Sequence, residues 1–289
     1  MKSVIFFIIV VLFYNVCFGQ TDSSAVSSPD SIPANKSTLT LGTVFANNAS
    51  YYGQKSEENT SYGALAATYH FKSGIYFSGL AYKLLQERTS SVSAASLGAG
   101  IEFKLGKKLS ADLSYNHSFF PAYSPLLQAG NAENASIAFT YSKWLDMSLT
   151  GDYAFGKTTD GFVTGGIAKT INLFSISKKD IVSINPSADI VAGTQHFYQT
   201  YLLEQKLRDS VLGIIMAPIT GEPPPTPSNV TTESTKFNIL SYNFKFPLAY
   251  NRAHYVLEVN YQVSVLSQYA QSGPGKVNTF LTASFYYQF

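Results

Sequence analysis

The stretch Tyr255-Val256-Leu257-Glu258-Val259-Asn260-Tyr261-Gln262-Val263-Ser264-Val265 decides the fold of this chain. Tyr255, Leu257, Val259, Tyr261, Val263 and Val265 share one parity, and Glu258, Asn260, Gln262 and Ser264 follow Val256 on the other. Successive side chains of an extended strand point to opposite faces, so a period of two separates an apolar face from one bearing a carboxylate and two amides. The apolar face suits hydrocarbon, where a charged side chain at mid-depth costs about 2–4 kcal/mol. The polar face is left to line an enclosed interior.

The pattern repeats along the chain. Leu109, Ala111, Leu113 and Tyr115 alternate with Ser110, Asp112, Ser114 and Asn116; Leu145, Met147, Leu149 and Tyr153 alternate with Asp146, Ser148, Thr150 and Asp152. Twelve such segments are expected, near 37–50, 61–72, 74–85, 93–105, 108–119, 133–143, 145–155, 162–174, 181–197, 236–247, 253–267 and 277–289. A count of 10 or 14 is also compatible with the sequence. The third segment places Phe77 and Lys83 on one face, and the eighth has Lys169 in phase with Val163, Ile167 and Ile171, a mismatch that a bulge at Gly165-Gly166 would repair. Connections are short around Gly74, Gly106, Trp144, Ser177 and Asn251 and long after the odd-numbered segments, the largest spanning 198–235. Short turns at one end and long loops at the other describe an all-β, antiparallel, up-and-down transmembrane barrel over 37–289, with both termini in the periplasm. A soluble β-sandwich also alternates, but with strands of about five or six residues, shorter than these.

Composition agrees. Only 13% of the 289 residues are charged, against roughly 25% in ordinary soluble domains, while 15% are aromatic. Lys and Arg number 20 against 18 Asp and Glu, with no basic run, so no nucleic-acid partner is expected. At the N-terminus, Lys2, an apolar run over 4–13 and small or polar residues over 15–19 have the layout of a secretory signal peptide, with cleavage expected between Gly19 and Gln20. A polar, disordered periplasmic leader over 20–36 follows. Tyr14, Asn15 and Val16 do not resemble a lipobox, so the single cysteine, Cys17, is expected to leave with the signal peptide. The mature chain would then lack disulfides, thiolate chemistry and cysteine-based zinc sites.

The C-terminus places Leu281, Ala283, Phe285, Tyr287 and Phe289 at every second position back from the end. This resembles the C-terminal aromatic β-signal of Gram-negative outer-membrane barrels, read by the barrel-assembly machinery, so Leu281, Phe285, Tyr287 and Phe289 are the expected assembly signal. The Gly19-Gln20 junction resembles that of exported proteins of the Bacteroidota. The resemblance implies an outer-membrane location in contact with outer-membrane lipid, and it selects no functional family.

Chemistry is sparse. Some barrels of this size are lipid hydrolases with Ser and His two residues apart on the outer wall, where sheet geometry places both on one face. Here Phe119 stands two residues after His117, and His70, His196 and His254 likewise lack a serine at that spacing, so no catalytic residue is assigned. The histidines do not cluster at ligand spacing, so neither metal nor cofactor is expected. By phase the inner face carries Glu102, Asp112, Asp152, Asp189, Lys245 and Glu258, with Lys104, Asp146 and several Asn and Gln between them. An acidic excess would favour cations if the lumen conducts small hydrophilic solutes; cross-linking of the same groups would instead fill the interior. Within the large loop, Leu203, Leu207, Val211 and Ile215 have helical spacing and precede a proline-rich stretch over 221–228, an element able to engage a surface partner. The expected functions are therefore a porin-like channel, a closed interaction barrel, or a lipid hydrolase.

Overall fold

The computed structural model describes residues 36–58, 60–87, 91–121, 124–198, 200, 236–270 and 277–289. The expected signal peptide, the leader to position 35 and the helical and proline-rich parts of the large loop lie outside them. Fourteen strands are described: β1 Thr38–Ala46, β2 Tyr62–His70, β3 Ile75–Leu84, β4 Ala94–Lys104, β5 Leu109–Phe119, β6 Glu133–Ser142, β7 Asp146–Phe155, β8 Thr159–Ala168, β9 Ile171–Phe174, β10 Asp180–Ile184, β11 Ser187–Gly193, β12 Asn238–Arg252, β13 Tyr255–Leu266 and β14 Val277–Gln288.

Twelve of them close into an antiparallel barrel. β1 to β8 pair in sequence, β8 pairs β11, β11 pairs β12, and β12, β13 and β14 lead back to β1 through pairs such as Thr43↔Phe285. β9 and β10 form an additional hairpin on the end that carries both termini, with β10 against the last residues of β12, Asp180↔Arg252 to Ile184↔Leu248. The first residue of β7, Asp146, faces Ala168, so β7 ends where β9 begins and the far edge of β9 has no strand beside it among the described residues.

This corrects the expected strands 162–174 and 181–197, each of which is broken in two. Pro186 has no N–H to give the ladder, and its carbonyl accepts Lys169 N at 3.1 Å while Asn185 N donates to Pro247 O at 3.0 Å, so pairing is interrupted at one level across three strands. No bulge occurs at Gly165-Gly166, which keep register with both neighbours. Lys169 instead projects outward near the rim, its ammonium donating to the carbonyl of Trp144. The ninth expected strand also stops early, at Gly193, and helical backbone begins at His196.

The period of two sorts the wall. Leu65, Phe77, Leu97, Leu113, Tyr153 and Phe244 all project outward and are exposed, Leu65 by 65%. Ser114, Asn116, Asn134, Ser136, Asn260 and Gln262 face inward and are buried. The interior carries buried polar side chains at mid-height, two apolar clusters toward the loop end and a smaller one of Ala249, Val256 and Tyr286 toward the terminal end.

Candidate functional site

The distinctive part of the molecule is the loop-end mouth. The connection between β1 and β2 does not stand clear of the barrel; it turns back into it as a tight hairpin. Tyr51 N donates to Gln54 O at 2.8 Å and Gln54 N to Tyr51 O at 3.0 Å, with Tyr52 and Gly53 at the tip. Both tip residues have positive φ, +52° and +79°, the backbone of the tightest hairpin turns. Glycine accepts this freely, whereas a tyrosine there costs about 1–2 kcal/mol. The inner wall receives the tip: Ser241 Oγ donates to Tyr52 O at 2.7 Å, and Asn278 Nδ2 to Gly53 O at 3.0 Å.

The hairpin's aromatic rings complete a seal. Tyr52 stacks on Phe162 of β8 at 3.9 Å between centroids and 17° between planes, and Tyr51 meets Phe197 edge-on at 4.6 Å. Leu127, from a short 3-10 turn at Leu127–Gly130 in the connection after β5, packs into the same cluster with Tyr198, Ala154, Val191 and Leu240. A second apolar cluster of Ala46, Tyr62, Tyr82, Leu84 and Ala94, closed by Leu126, fills the other side of the mouth.

A break in alternation makes the reception possible. Leu240 and Ser241 are both fully buried, because the register between β11 and β12 slips from Val191↔Ser241 to Ala192↔Ile239 and leaves Leu240 as an extra residue. This bulge aims two consecutive side chains inward, one into the aromatic seal and one at the carbonyl of Tyr52.

Asp160 ties the third loop down. Fully buried at the start of β8, it accepts hydrogen bonds from Asn131 Nδ2 at 2.9 Å, His196 N at 2.9 Å and Phe197 N at 2.9 Å, and from the hydroxyls of Thr158 and Thr194. One carboxylate thus caps the first amides of the helical turn after β11 and holds Phe197 in the mouth. His196 Nδ1 lies 3.0 Å from the same carboxylate.

Below the seal the inner wall is polar at mid-height, and Ala249, Val256 and Tyr286 form a small buried apolar cluster beyond it. Glu102 and Asp112 face each other across the β4–β5 pair, and Asp112 accepts the Tyr76 hydroxyl at 3.2 Å. Asp189 accepts Asn243 Nδ2 at 2.7 Å and is ion-paired with Lys245 at 3.3 Å. Asp152 lies opposite Phe162 and Glu258 opposite Ser284, both buried. Leu281, Phe285, Tyr287 and Phe289 stand on the outer face of β14 and its end, and Phe289 N donates to Leu39 O at 2.9 Å, across the seam where the barrel closes.

On the outer wall, His117 has a partner that its own strand does not reveal. Its Nδ1 lies 2.6 Å from Glu133 Oε1 on β6, and the Tyr115 hydroxyl contacts the other oxygen of Glu133. A base oriented by a carboxylate is two thirds of a hydrolytic triad. The third place is filled by carbon: Leu97 is the cross-strand neighbour of His117, and Phe119 packs edge-on against its ring at 4.4 Å.

No protein-family model and no curated protein matches the chain. Among solved structures, it is similar to a KdgM porin with a TM-score of 0.47 and 10% identity, over 87% of this chain and 99% of that one. It is similar to a bacterial polysaccharide outer membrane secretin with a TM-score of 0.48 and 7% identity, over 89% and 100% of the two chains. The likeness to LpxR from Salmonella typhimurium has a TM-score of 0.46 and 7% identity, over 86% and 99%.

Proposed function

We propose that this chain is an outer-membrane channel for small hydrophilic solutes, with a weak preference for cations, whose outer mouth is shut at rest by the β1–β2 hairpin. The observation that carries this reading is the way the mouth is made: the seal is borne by loops, through Tyr51, Tyr52, Leu126, Leu127 and Phe197, while the wall at mid-height offers hydroxyls, amides and carboxylates. An apolar constriction above a polar lumen gates by excluding water.

The membrane part of the reading is supported by the exterior. Outward Leu, Phe, Tyr and Ile side chains are exposed on every barrel strand, far beyond the few hundred Å² of contiguous apolar surface that soluble monomers tolerate. With the signal peptide expected from the sequence, the end carrying both termini faces the periplasm.

Withdrawal of the hairpin has to break both ring packing and hydrogen bonds. Its tip donates no side-chain charge to the wall: Tyr51 and Tyr52 are held by contacts with Phe197 and Phe162, the tip carbonyls accept neutral hydrogen bonds that include those from Ser241 and Asn278, each contributing about 0.5–1.5 kcal/mol net, and the strain at Tyr52 offsets part of this hold. The cation preference follows from the inner wall, where Lys245 is matched by Asp189 and the carboxyls of Glu102, Asp112, Asp152 and Glu258 outnumber the one further base among the described residues, Lys104.

Planar-bilayer recording tests the reading. The intact chain is expected to open rarely, and a variant with 49–58 replaced by a short Gly-Ser link to conduct steadily with cation selectivity. Asp112→Asn or Glu258→Gln should lower that selectivity. A folded deletion variant that carries no current would sink the channel, and would leave a closed barrel that engages a partner through the 198–235 loop.

A further inference from the structure

The end of the barrel that carries both termini is ringed with cations. Lys72 stands on the turn after β2, Lys107 and Lys108 after β4, Lys143 after β6, and Lys178 and Lys179 after β9, all exposed. Arg252 supplies the turn after β12. Carboxylates are few at this level among the described residues: Glu102, whose amide donates to Gly74 O, turns inward and is partly exposed, Asp146 is likewise only partly exposed, and Asp180 is occupied by Ile176 N, Ser177 N and the Tyr250 hydroxyl. The whole chain carries a net charge of only +2, and among the described residues the opposite end is balanced, with Lys55, Lys83, Lys157 and Lys236 against Glu57, Glu58, Glu87 and Glu133, so the cationic excess sits at the terminal end.

Each of the four lysine-bearing turns also has an exposed apolar residue on the outer surface. Phe71 adjoins Lys72, Leu105 precedes Lys107, Trp144 adjoins Lys143, and Ile176 precedes Lys178. Trp144 is 70% exposed, and the Lys169 ammonium lies 5.9 Å from the centre of its ring. Rings at headgroup depth beside ammonium groups at phosphate depth match the two layers of a membrane interface.

We propose that this basic collar binds the phosphates of anionic phospholipids and enriches acidic lipid around the barrel in the leaflet at its terminal end. The proposal rests on the membrane-spanning reading above. The distribution of charge selects a membrane over a protein partner. An acidic peptide adding to the free edge of β9 would meet the cations near Trp144 and the β9–β10 turn, and would leave Lys72, Lys107 and Lys108 on distant turns without a role.

Trp144 is the only tryptophan in the chain and sits in the collar, so it reports directly on the lipid beside it. The full chain is reconstituted in mixed phosphatidylcholine and phosphatidylglycerol vesicles in which one lipid or the other has brominated acyl chains, and quenching of Trp144 is read. Brominated phosphatidylglycerol is expected to quench about threefold beyond its mole fraction. The excess should vanish near 0.5 M salt, where screening is within about 4–5 Å, and in the combined Lys143→Gln, Lys178→Gln, Lys179→Gln variant, with quenching by brominated phosphatidylcholine retained in both. Quenching in proportion to mole fraction overturns the collar. Absence of quenching by either lipid overturns the membrane reading itself.

Discussion

Among the described residues Tyr52 is the one non-glycine residue with positive φ, and Gly53 beside it completes the turn. A side chain at Gly53 would meet both the unfavourable φ of +79° and the side chains of Ser241 and Asn243. Gly53→Ala is therefore expected to cost the inserted hairpin about 1–2 kcal/mol while leaving the wall ladder intact. Every 1.4 kcal/mol is a factor of about ten in a population. Single-channel recording should accordingly show open probability rising roughly tenfold, with unchanged heat stability of the barrel; an unaltered open probability would mean that the hairpin is not the gate. Tyr52→Ala acts in the same direction by removing the stack on Phe162. None of this was legible in 47–61, which reads as a polar loop, because a turn's φ values and the groups that receive it are set by distant strands. Leu240-Ser241 was equally silent, since a bulge changes parity without changing composition. Glu133 was missed for a different reason. Its approach to His117 depends on the register across a hairpin, and period-two phasing gives the face but not the pairing partner.

At the level of elements, the β9–β10 hairpin shows how one residue divides strands that alternation reads as continuous. Pro186 interrupts the ladder, yet both pieces keep the expected direction and neighbours, so the reading of 162–174 and 181–197 erred in continuity and not in topology. The turn itself is set by Asp180, which stands beyond the spanning wall. Its carboxyl is held down at about 2, first by the Ser177 hydroxyl and then by the amides of Ser177 and Ile176. A carboxyl whose folded value lies below its unfolded value stabilises the fold above the unfolded value, and that stabilisation is lost as pH falls through the folded one. The turn should therefore hold at pH 5 and above, weaken below the ordinary aspartate range of about 4, and be released near pH 2. Amide exchange at Ile176 and Ser177, corrected for intrinsic rates, would show protection falling over that window in the native chain and absent at all pH values in Asp180→Ala. Protection independent of pH in the native chain would remove Asp180 as the cap.

For the molecule as a whole, closure depends on the seam between β1 and β14, where Phe289 N donates to Leu39 O and the Phe289 ring packs on Tyr287 at 4.7 Å. We propose that the exposed outer side chains of β14 also serve the assembly machinery, as their spacing suggests. Deleting Phe289 should then reduce the amount of barrel inserted in cells severalfold, while refolding into detergent loses only about 1 kcal/mol, the scale of one hydrogen bond and one ring contact. Equal losses in both settings would assign Phe289 to the seam alone.

The sequence by itself determined that the chain is an all-β barrel and which face of most strands turns inward, and it favoured twelve wall strands over 10 or 14. These follow from a local rule, because parity is a property of extended backbone and hydrocarbon rejects charge at every position alike. Tertiary structure alone decided that the lumen is filled at its mouth, that a hairpin between β1 and β2 does the filling, that Asp189 meets Lys245, and that lysines on four turns and an arginine on a fifth form one collar. Each of these depends on where separate segments come to lie once the sheet closes, and strand stagger and loop insertion leave no trace in the alternation of any single segment.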